Sequence, residues 1–143
     1  MARHADRRLV LLLSKAHHAL FRAIDRGASS SLGVTGAQIG PLFFVARNPG
    51  CVQGDVGKEL GINKAATSKL ISRMEDAELI ERRPSEEDGR VITLHLTQRA
   101  RSVIDAARPL VRKVNKQLTD GFTAAEIDVV SRFLSTVSER FEE

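Results

Sequence analysis

Aromatic residues, cysteine and long apolar segments are all scarce in this chain. Tryptophan and tyrosine are absent and aromatic residues make up 4% of the 143 residues, which predicts an aliphatic core. Cys51 is the only cysteine, so an internal disulfide and a zinc site with a second cysteine ligand are excluded. No stretch approaches the roughly 18 apolar residues of a membrane span. Because the apolar run at residues 9–13 is also too short for a secretory signal, we expect a cytoplasmic chain with no membrane partner.

Motifs for catalysis and for metal or cofactor binding are missing as well. The sequence has no phosphate-binding Gly-x-x-x-x-Gly-Lys loop, no His-Glu-x-x-His zinc motif and no Gly-x-Ser-x-Gly nucleophile turn. His17 and His18 are adjacent, so a helix would point them about 100° apart, and His4 and His95 are isolated. We therefore predict no catalytic residues, no metal site, no cofactor and no enzymatic activity.

The charge of the chain is basic. Its 22 Lys and Arg residues against 18 Asp and Glu residues give a formal net charge of +4, and the sequence pI is about 9.7. A basic protein attracts polyanions through phosphate neutralisation and counterion release. Many basic proteins bind no nucleic acid, so the charge is compatible with a DNA partner without identifying one.

Two helices are predicted in the first third of the chain. Apolar residues recur at helical spacing over about 6–25, and the glycine and serine run at 27–31 predicts the end of this first helix. Thr35 and Gln38 form a capping box that starts a second helix. Pro41 lies beyond the first turn of that helix, where its missing N–H predicts a bend or an early end.

Residues 52–77 have the pattern of a helix-turn-helix. Apolar spacing predicts a short helix that ends at Gly61, and Asn63 is a good N-cap for the helix that follows. Gly57 carries no side chain that would obstruct a close crossing of the two helices. Two glycines and a cap at this spacing predict the motif.

The second helix of this motif separates a core face from an outer face. The helical wheel turns four residues toward the core: Ala66, Leu70, Met74 and Ala77. The opposite face is small, basic and hydroxyl-bearing, which suits entry into a DNA major groove, although a solvated amphipathic helix also has such a face. The predicted DNA-binding residues of this helix and its cap are Asn63, Lys64, Ala65, Ser68, Lys69, Ser72 and Arg73.

Two short strands are predicted next, at residues 79–83 and 90–96. Between them Asp88-Gly89 is a strong hairpin signal, typical of a type I′ turn. A helix-turn-helix followed by such a hairpin predicts a winged helix, whose Arg90 reaches the adjoining minor groove. Asp88 orients Arg90 or fixes the turn, so we predict both residues as DNA-binding. A turn that makes no contact with DNA is the alternative.

The terminal helices are predicted to form a dimer. Thr97 caps a long helix with a kink expected at Pro109, and Thr123 with Glu126 forms the capping box of the last helix. Because a winged helix of about sixty residues closes its own core, the apolar faces of the terminal helices need another surface. A symmetric partner supplies it and spaces two recognition helices by roughly 34 Å, whereas a monomer packed back on itself is the alternative. The predicted interface consists of Leu9, Leu13, Val130, Phe133, Leu134, Val137 and Phe141.

Four segments of the chain together resemble the MarR family of transcriptional regulators: residues 60–63, 68–75, 79–84 and 88–97. The most specific part is the run from 79 to 97, in which Asp-x-Arg is followed by a strand ending in Leu-Thr. The resemblance implies a two-fold dimer that binds a pseudo-palindromic operator in duplex DNA. It also implies relief of repression by a small, often aromatic or anionic ligand, or by cysteine oxidation in some branches.

In the MarR family the effector commonly lies between the dimer helices and the winged helix. Phenylalanine rings would supply apolar walls there, and arginine or histidine an anchor for a carboxylate or phenolate. Plain core packing is the alternative for the phenylalanines. The predicted effector-binding residues are His17, Phe21, Phe43, Phe44 and Arg47.

Pro41, Glu86, Glu87 and Cys51 depart from the family pattern. The two glutamates place negative charge beside the wing tip, which lowers minor-groove affinity unless the loop turns them outward. Thiol-sensing members commonly carry their reactive cysteine near the first helix, whereas Cys51 follows a turn before the third. No neighbouring cation is present to lower the pKa of Cys51, so we expect an unreactive thiol.

The predicted fold is mainly α, a winged helix-turn-helix with a small β-hairpin wing and long terminal helices. We expect a sequence-specific DNA-binding transcription regulator that represses adjacent genes and is released by a small aromatic or anionic ligand. The alternative is a winged-helix protein-interaction module that no longer binds DNA, which Glu75, Asp76, Glu86 and Glu87 favour. The predicted regions are an N-terminal dimerisation helix at 1–33, a DNA-binding region at 34–97 and C-terminal dimerisation helices at 98–143.

Overall fold

The computed structural model describes residues 8–142, and all structural statements concern this range. The range holds six helices and a two-stranded antiparallel sheet, so the predicted mainly α fold with a hairpin wing is confirmed. The predicted start of the first helix at Asp6, and His4, lie outside the described residues. The elements are α1 (Leu9–Ser31), α2 (Gly36–Arg47), α3 (Gln53–Leu60), α4 (Lys64–Asp76), β1 (Ile80–Pro84), β2 (Ile92–Leu96), α5 (Gln98–Thr119) and α6 (Ala124–Phe141).

The core is aliphatic, as the scarcity of aromatic residues predicts. Its largest fully buried side chains come from α2, α4 and the hairpin, and include Leu42, Ile71, Met74 and Leu94. Removing such side chains from water contributes roughly 1.5–3 kcal/mol each. The first half of α5 adds to this core, whereas α6 has no fully buried residue. The winged helix therefore shares one core with Ala28 of α1 and the first half of α5, whereas α6 contributes no fully buried residue to it.

The first helix extends past its predicted end, through Ser31. The glycine and serine run does not stop it, because its small residues serve packing instead. A Cβ on Gly27 would lie 2.8 Å from a methyl carbon of Leu110 on α5, and Ala28 is fully buried. The hydroxyl of Ser30 donates to the carbonyl of Arg26, which satisfies it within the helix.

The second helix is not shortened at Pro41, so that part of the prediction is wrong. It runs without interruption to Arg47, with the proline ring buried in the core. Packing of the ring offsets the one hydrogen bond that its missing N–H removes. At the start of the helix, Gln38 Oε1 accepts from the backbone N–H of Thr35 at 3.1 Å, as the capping box predicts.

The strands pair in register from Ile80↔Leu96 to Pro84↔Ile92. The first strand lies one residue later than predicted, and the second begins two residues later, because residues 90 and 91 belong to the wing loop. The segment before α3 adds a short edge to the hairpin: Leu94 N donates to Cys51 O at 2.8 Å. This edge fixes α3, and with it the helix-turn-helix, against the wing.

Candidate nucleic-acid interface

The turn between α3 and α4 has the geometry that the sequence predicts. Gly61 ends α3 in the left-handed conformation, with φ +64°. Asn63 caps α4, since its Oδ1 accepts from the backbone N–H of Ala66 at 2.8 Å. The crossing of the helices is close, because a Cβ on Gly57 would lie 2.5 Å from Thr67 Oγ1. These contacts hold α4 at a fixed angle on the surface.

The outer face of α4 is solvent-exposed over its basic and small residues. Of the residues predicted to face DNA on this helix, Ser72 alone is partly buried. The predicted inner face is confirmed at Met74, but Ala66 is exposed, and the fully buried positions that the prediction omits are Thr67 and Ile71. Thr67 can face the core because its hydroxyl donates to the carbonyl of Asn63 at 2.8 Å. The exposed residues are Lys64, Ala65, Ala66, Ser68, Lys69 and Arg73.

Arg82 on β1 ties the wing to this helix, and sequence reasoning missed it. Its Nη2 donates to Ser72 Oγ at 3.2 Å, and its Nε lies 3.9 Å from Glu75 Oε2. The alternation along β1 is the signal that could have found it, since Arg82 shares the strand face of buried Ile80. Because Ser72 accepts from Arg82, its own hydroxyl proton remains available to a phosphate or a base acceptor.

The wing tip is a loop held by Asp88. Its Oδ1 accepts from the backbone N–H of Arg90 at 3.0 Å and from Arg90 Nε at 3.3 Å. Val91 N donates to Asp88 O at 2.9 Å. The predicted type I′ turn is wrong, because neither Asp88 nor Gly89 has a positive φ. Asp88 both shapes the turn and orients Arg90, whose side chain is 93% exposed.

The predicted effector residues are not gathered into one cleft. The rings of His17 and Phe21 lie side by side on α1, with centroids 4.5 Å apart. Phe43 lies under the guanidinium of Arg108, 5.7 Å from its ring centroid. Phe44 borders a different surface depression, near Cys51. Both Phe43 and Phe44 are half-buried against the core, in keeping with the packing alternative. Arg47 instead donates through Nε to the carbonyl of Phe43 at 3.4 Å.

Phe21 borders a cavity of about 300 Å³ between α1, α2 and α5. Its walls are aliphatic, and Asn115 is the one polar side chain among the residues that line it. Leu60, the last residue of α3, also lines it, so the cavity touches the element that leads into α4. No charged side chain lines this cavity.

The terminal helices carry a large exposed apolar surface. Phe133 is 38% exposed, Leu134 45% and Phe141 81%, all on α6. The predicted interface omits several further exposed apolar residues of the terminal helices and their connection. These are Val10, Leu11 and Leu12 on α1, Leu118 and Phe122 around the α5–α6 turn, and Val129 on α6.

Cys51 is half-buried between α2 and α3. Burial raises the pKa of its thiol, and the nearby Asp55 carboxylate raises it further. This agrees with the expectation of an unreactive thiol.

Across residues 8–142, no helix combines the length and hydrophobicity that crossing a membrane requires. Within the same residues, no group of three or more His, Cys, Asp or Glu side chains lies close enough together to hold a metal ion.

Comparison with known proteins identifies relatives that regulate transcription. A family model described as MarR family matches residues 32–91. The HTH-type transcriptional regulator BilQ of Clostridioides difficile (strain CD3) is 26% identical over 98 residues, which cover 68% of this chain and 66% of BilQ. The transcriptional regulator ZitR of Lactococcus lactis is 32% identical over 89 residues, 60% of this chain and 61% of ZitR. These two matches thus span 66% and 61% of the relatives' own lengths.

The whole fold also has a close structural counterpart. The crystal structure of the transcription regulator MarR from Oenococcus oeni PSU-1 superimposes with a TM-score of 0.80 and 26% identity. The superposition covers 92% of this chain and 98% of that protein, so it includes the terminal helices as well as the winged helix. The family-model match over residues 32–91 and this whole-chain likeness show that the chain is similar in sequence and fold to transcriptional regulators of the MarR family.

Proposed function

We propose that the chain binds duplex DNA sequence-specifically as a homodimer and represses transcription of adjacent genes. The observation that carries the proposal is the exposed basic face of α4, fixed beside a wing whose Arg90 extends into solvent. A helix of this kind enters the major groove, and an arginine at a wing reaches the minor groove. Lys64 and Lys69 would contact phosphates or guanine edges, and Ser68 would donate to bases or backbone.

The contribution of the wing is proposed to be modest. Arg90 already pairs with Asp88 at 3.3 Å, so DNA must compete with that carboxylate. Glu86 and Glu87 are exposed on the same loop and repel phosphates. The major-groove helix therefore supplies most of the affinity.

Binding to DNA is tested by fluorescence anisotropy on an operator selected from random duplexes by the protein itself. Lys69→Ala and Arg90→Ala should each weaken binding, by about 1–3 kcal/mol where the side chain reads a base and by less where it contacts phosphate. Lys113→Ala removes the same charge from an exposed position on α5 and serves as the control. Affinity of the parent should fall steeply with salt.

If the Lys69→Ala and Arg90→Ala variants both bound DNA with the affinity of the parent protein, this docking would be refuted. Failure to select any DNA, with a stable protein complex recovered instead, would favour the protein-interaction module.

The dimer is proposed to form through α1 and α6. Phe133, Val137 and their neighbours present an apolar face, while the winged helix closes its core without them. Phe133→Glu should convert a dimer into a monomer in sedimentation equilibrium, because it places a charge within that face. Arg132→Glu, on the adjacent exposed position, is the matched control and should leave the dimer intact. If the Phe133→Glu variant formed a dimer with the same dissociation constant as the parent protein, this interface would be contradicted.

Release from DNA is proposed to follow binding of an uncharged aromatic compound in the cavity between α1, α2 and α5. The aliphatic walls favour such a ligand over an anion, since no cation lines the cavity. A ligand there would press on Leu60 and shift the start of the recognition helix.

This part is tested by adding indole or benzoate to the protein–DNA complex. Indole should release DNA and benzoate should not. Val114→Phe, which fills the cavity, should bind DNA normally and ignore indole. Release by benzoate alone would contradict the assignment.

A further inference from the structure

The first turn of α4 presents a small apolar side chain near the middle of its outer face. The fully buried residues of this helix are Thr67, Ile71 and Met74, and they define the direction of the core. At about 100° per residue, Ala65 and Lys69 are the residues of the first two turns that lie nearest to the opposite direction. Both are exposed. Ala65 is therefore the side chain of the first turn that points most directly away from the core.

The other side chains of this turn do not take its place. Thr67 turns its methyl group inward, where Cγ2 would lie 3.3 Å from a Cβ on Gly57. Lys64 and Ala66 are exposed, but each lies about 100° from Ala65 around the helix. The group at the front of this turn is thus a methyl group, with polar Ser68 and Lys69 one turn further along.

The chemistry of a methyl group restricts the base that it can face. In the proposed docking the N-terminal residues of α4 contact base edges in the major groove. A methyl group neither donates nor accepts a hydrogen bond, so a polar base atom beneath it would lose its water without a replacement. Thymine is the base whose major-groove edge carries an apolar group, the C5 methyl.

We propose that Ala65 selects thymine at one position of each operator half-site by contact with the C5 methyl group. This inference rests on the proposed function, because it requires α4 to lie in the major groove. Lys69 follows Ala65 by one turn, which places their Cβ atoms about 6 Å apart. Base pairs are stacked about 3.4 Å apart, so the selected thymine lies about one or two base pairs from the base or phosphate that Lys69 contacts.

Replacing thymine by uracil tests this contact, because it removes the C5 methyl group and preserves base pairing. The probe is the operator that the protein selects from random duplexes, with each thymine of one half-site replaced in turn by uracil. Binding of the full chain is measured by fluorescence anisotropy. At one thymine the replacement should weaken binding by about fourfold, the effect of exposing one buried methyl group.

The Ala65→Gly variant should no longer distinguish the two bases at that position. Its ratio of thymine to uracil affinity should fall from about four to about one. Glycine also disfavours the helix, but it does so equally with either duplex, so the ratio isolates the contact. Ala66→Gly makes the same change at the neighbouring exposed position, away from the middle of the outer face, and should keep the ratio of about four.

Two results would overturn the inference and leave DNA binding itself intact. One is an operator that tolerates uracil at every thymine, or that has no thymine in its half-sites. The other is a ratio of thymine to uracil affinity that is the same in Ala65→Gly as in the parent, since another residue would then make the contact. Failure to select any DNA would instead refute the proposed function, and this inference with it.

Discussion

Replacing Gly57 by alanine should destabilise the fold at the crossing of α3 and α4. The added Cβ would lie 2.5 Å from Thr67 Oγ1 and 3.3 Å from the Cβ and Cγ2 of Thr67. Thr67 has little freedom to withdraw, because it is 2% exposed and branched at Cβ. Its hydroxyl is also engaged by the carbonyl of Asn63 at 2.8 Å. The two helices must therefore separate or the threonine must change rotamer.

Two opposing effects set the size of the change. Alanine is better than glycine inside a helix by about 1 kcal/mol, whereas overpacking a buried contact costs about 1–3 kcal/mol. The net destabilisation for Gly57→Ala is then about 0–2 kcal/mol. Gly54→Ala, in the same helix, has nothing within 4 Å of its added Cβ, so it should show only the stabilisation from the higher helix propensity of alanine. The difference between the two variants isolates the steric part, about 1–3 kcal/mol.

Urea unfolding at one fixed protein concentration measures this difference, since the stability of an associating protein depends on concentration. The Gly57→Ala/Thr67→Ala double variant should be less destabilised than the two single changes predict, because the clash requires both side chains. Equal unfolding midpoints for the Gly57→Ala and Gly54→Ala variants would refute the close crossing. A non-additive rescue, by contrast, would locate the strain at Thr67.

Three further changes test separate contacts. Asn63→Ala removes the cap of the recognition helix and should lower the free energy of unfolding by about 1 kcal/mol, measured in urea; an unchanged midpoint would contradict the cap. Burial raises the pKa of the Cys51 thiol, so its thiolate fraction at pH 8 falls below that of a free cysteine. Iodoacetamide should therefore react with Cys51 more slowly than it reacts with the thiol of glutathione. A faster reaction of Cys51 would overturn this account. Ser72→Ala and Arg82→Ala each remove the same hydrogen bond, so their effects on the free energy of DNA binding should differ from additivity by about 0.5–1.5 kcal/mol in the double variant, measured by anisotropy. Strictly additive effects would show that the bond does not matter for binding.

The caps and turns of the fold were predictable because their chemistry is local. Thr97 and Asn63 each accept from a backbone N–H three residues on, and that spacing is visible in any sequence. The end of α1 was not predictable in this way. Gly27 continues the helix because Leu110 packs against it, and a contact between distant parts of the chain leaves no local signal. The wing tip differed for a related reason, since Asp88 holds a longer loop than the Asp-Gly pair alone suggests.

The outer face of α4 followed from helical periodicity, whereas the effector residues did not assemble as predicted. Periodicity assigns faces within one helix, but the predicted core face was rotated by about one residue, because Thr67 and Ile71 are buried where Ala66 and Leu70 were expected. The effector prediction required α1 and α2 to present their side chains to one space. Phe21 instead lines the apolar cavity and Phe43 packs against Arg108, because the relative rotation of the helices is set by the whole core.

The hydrogen bond from Arg82 to Ser72 bears on the entropy of DNA recognition. A wing attached only through its strands would sample many orientations, and DNA would have to select one of them at a loss of affinity. Here the guanidinium joins the hairpin to the recognition helix in the free protein, with Glu75 3.9 Å from the same side chain. In the proposed docking, both elements would therefore meet the duplex in one relative orientation. An operator with the wrong spacing between its major-groove and minor-groove contacts would then bind weakly, because the wing alone could not adjust to it.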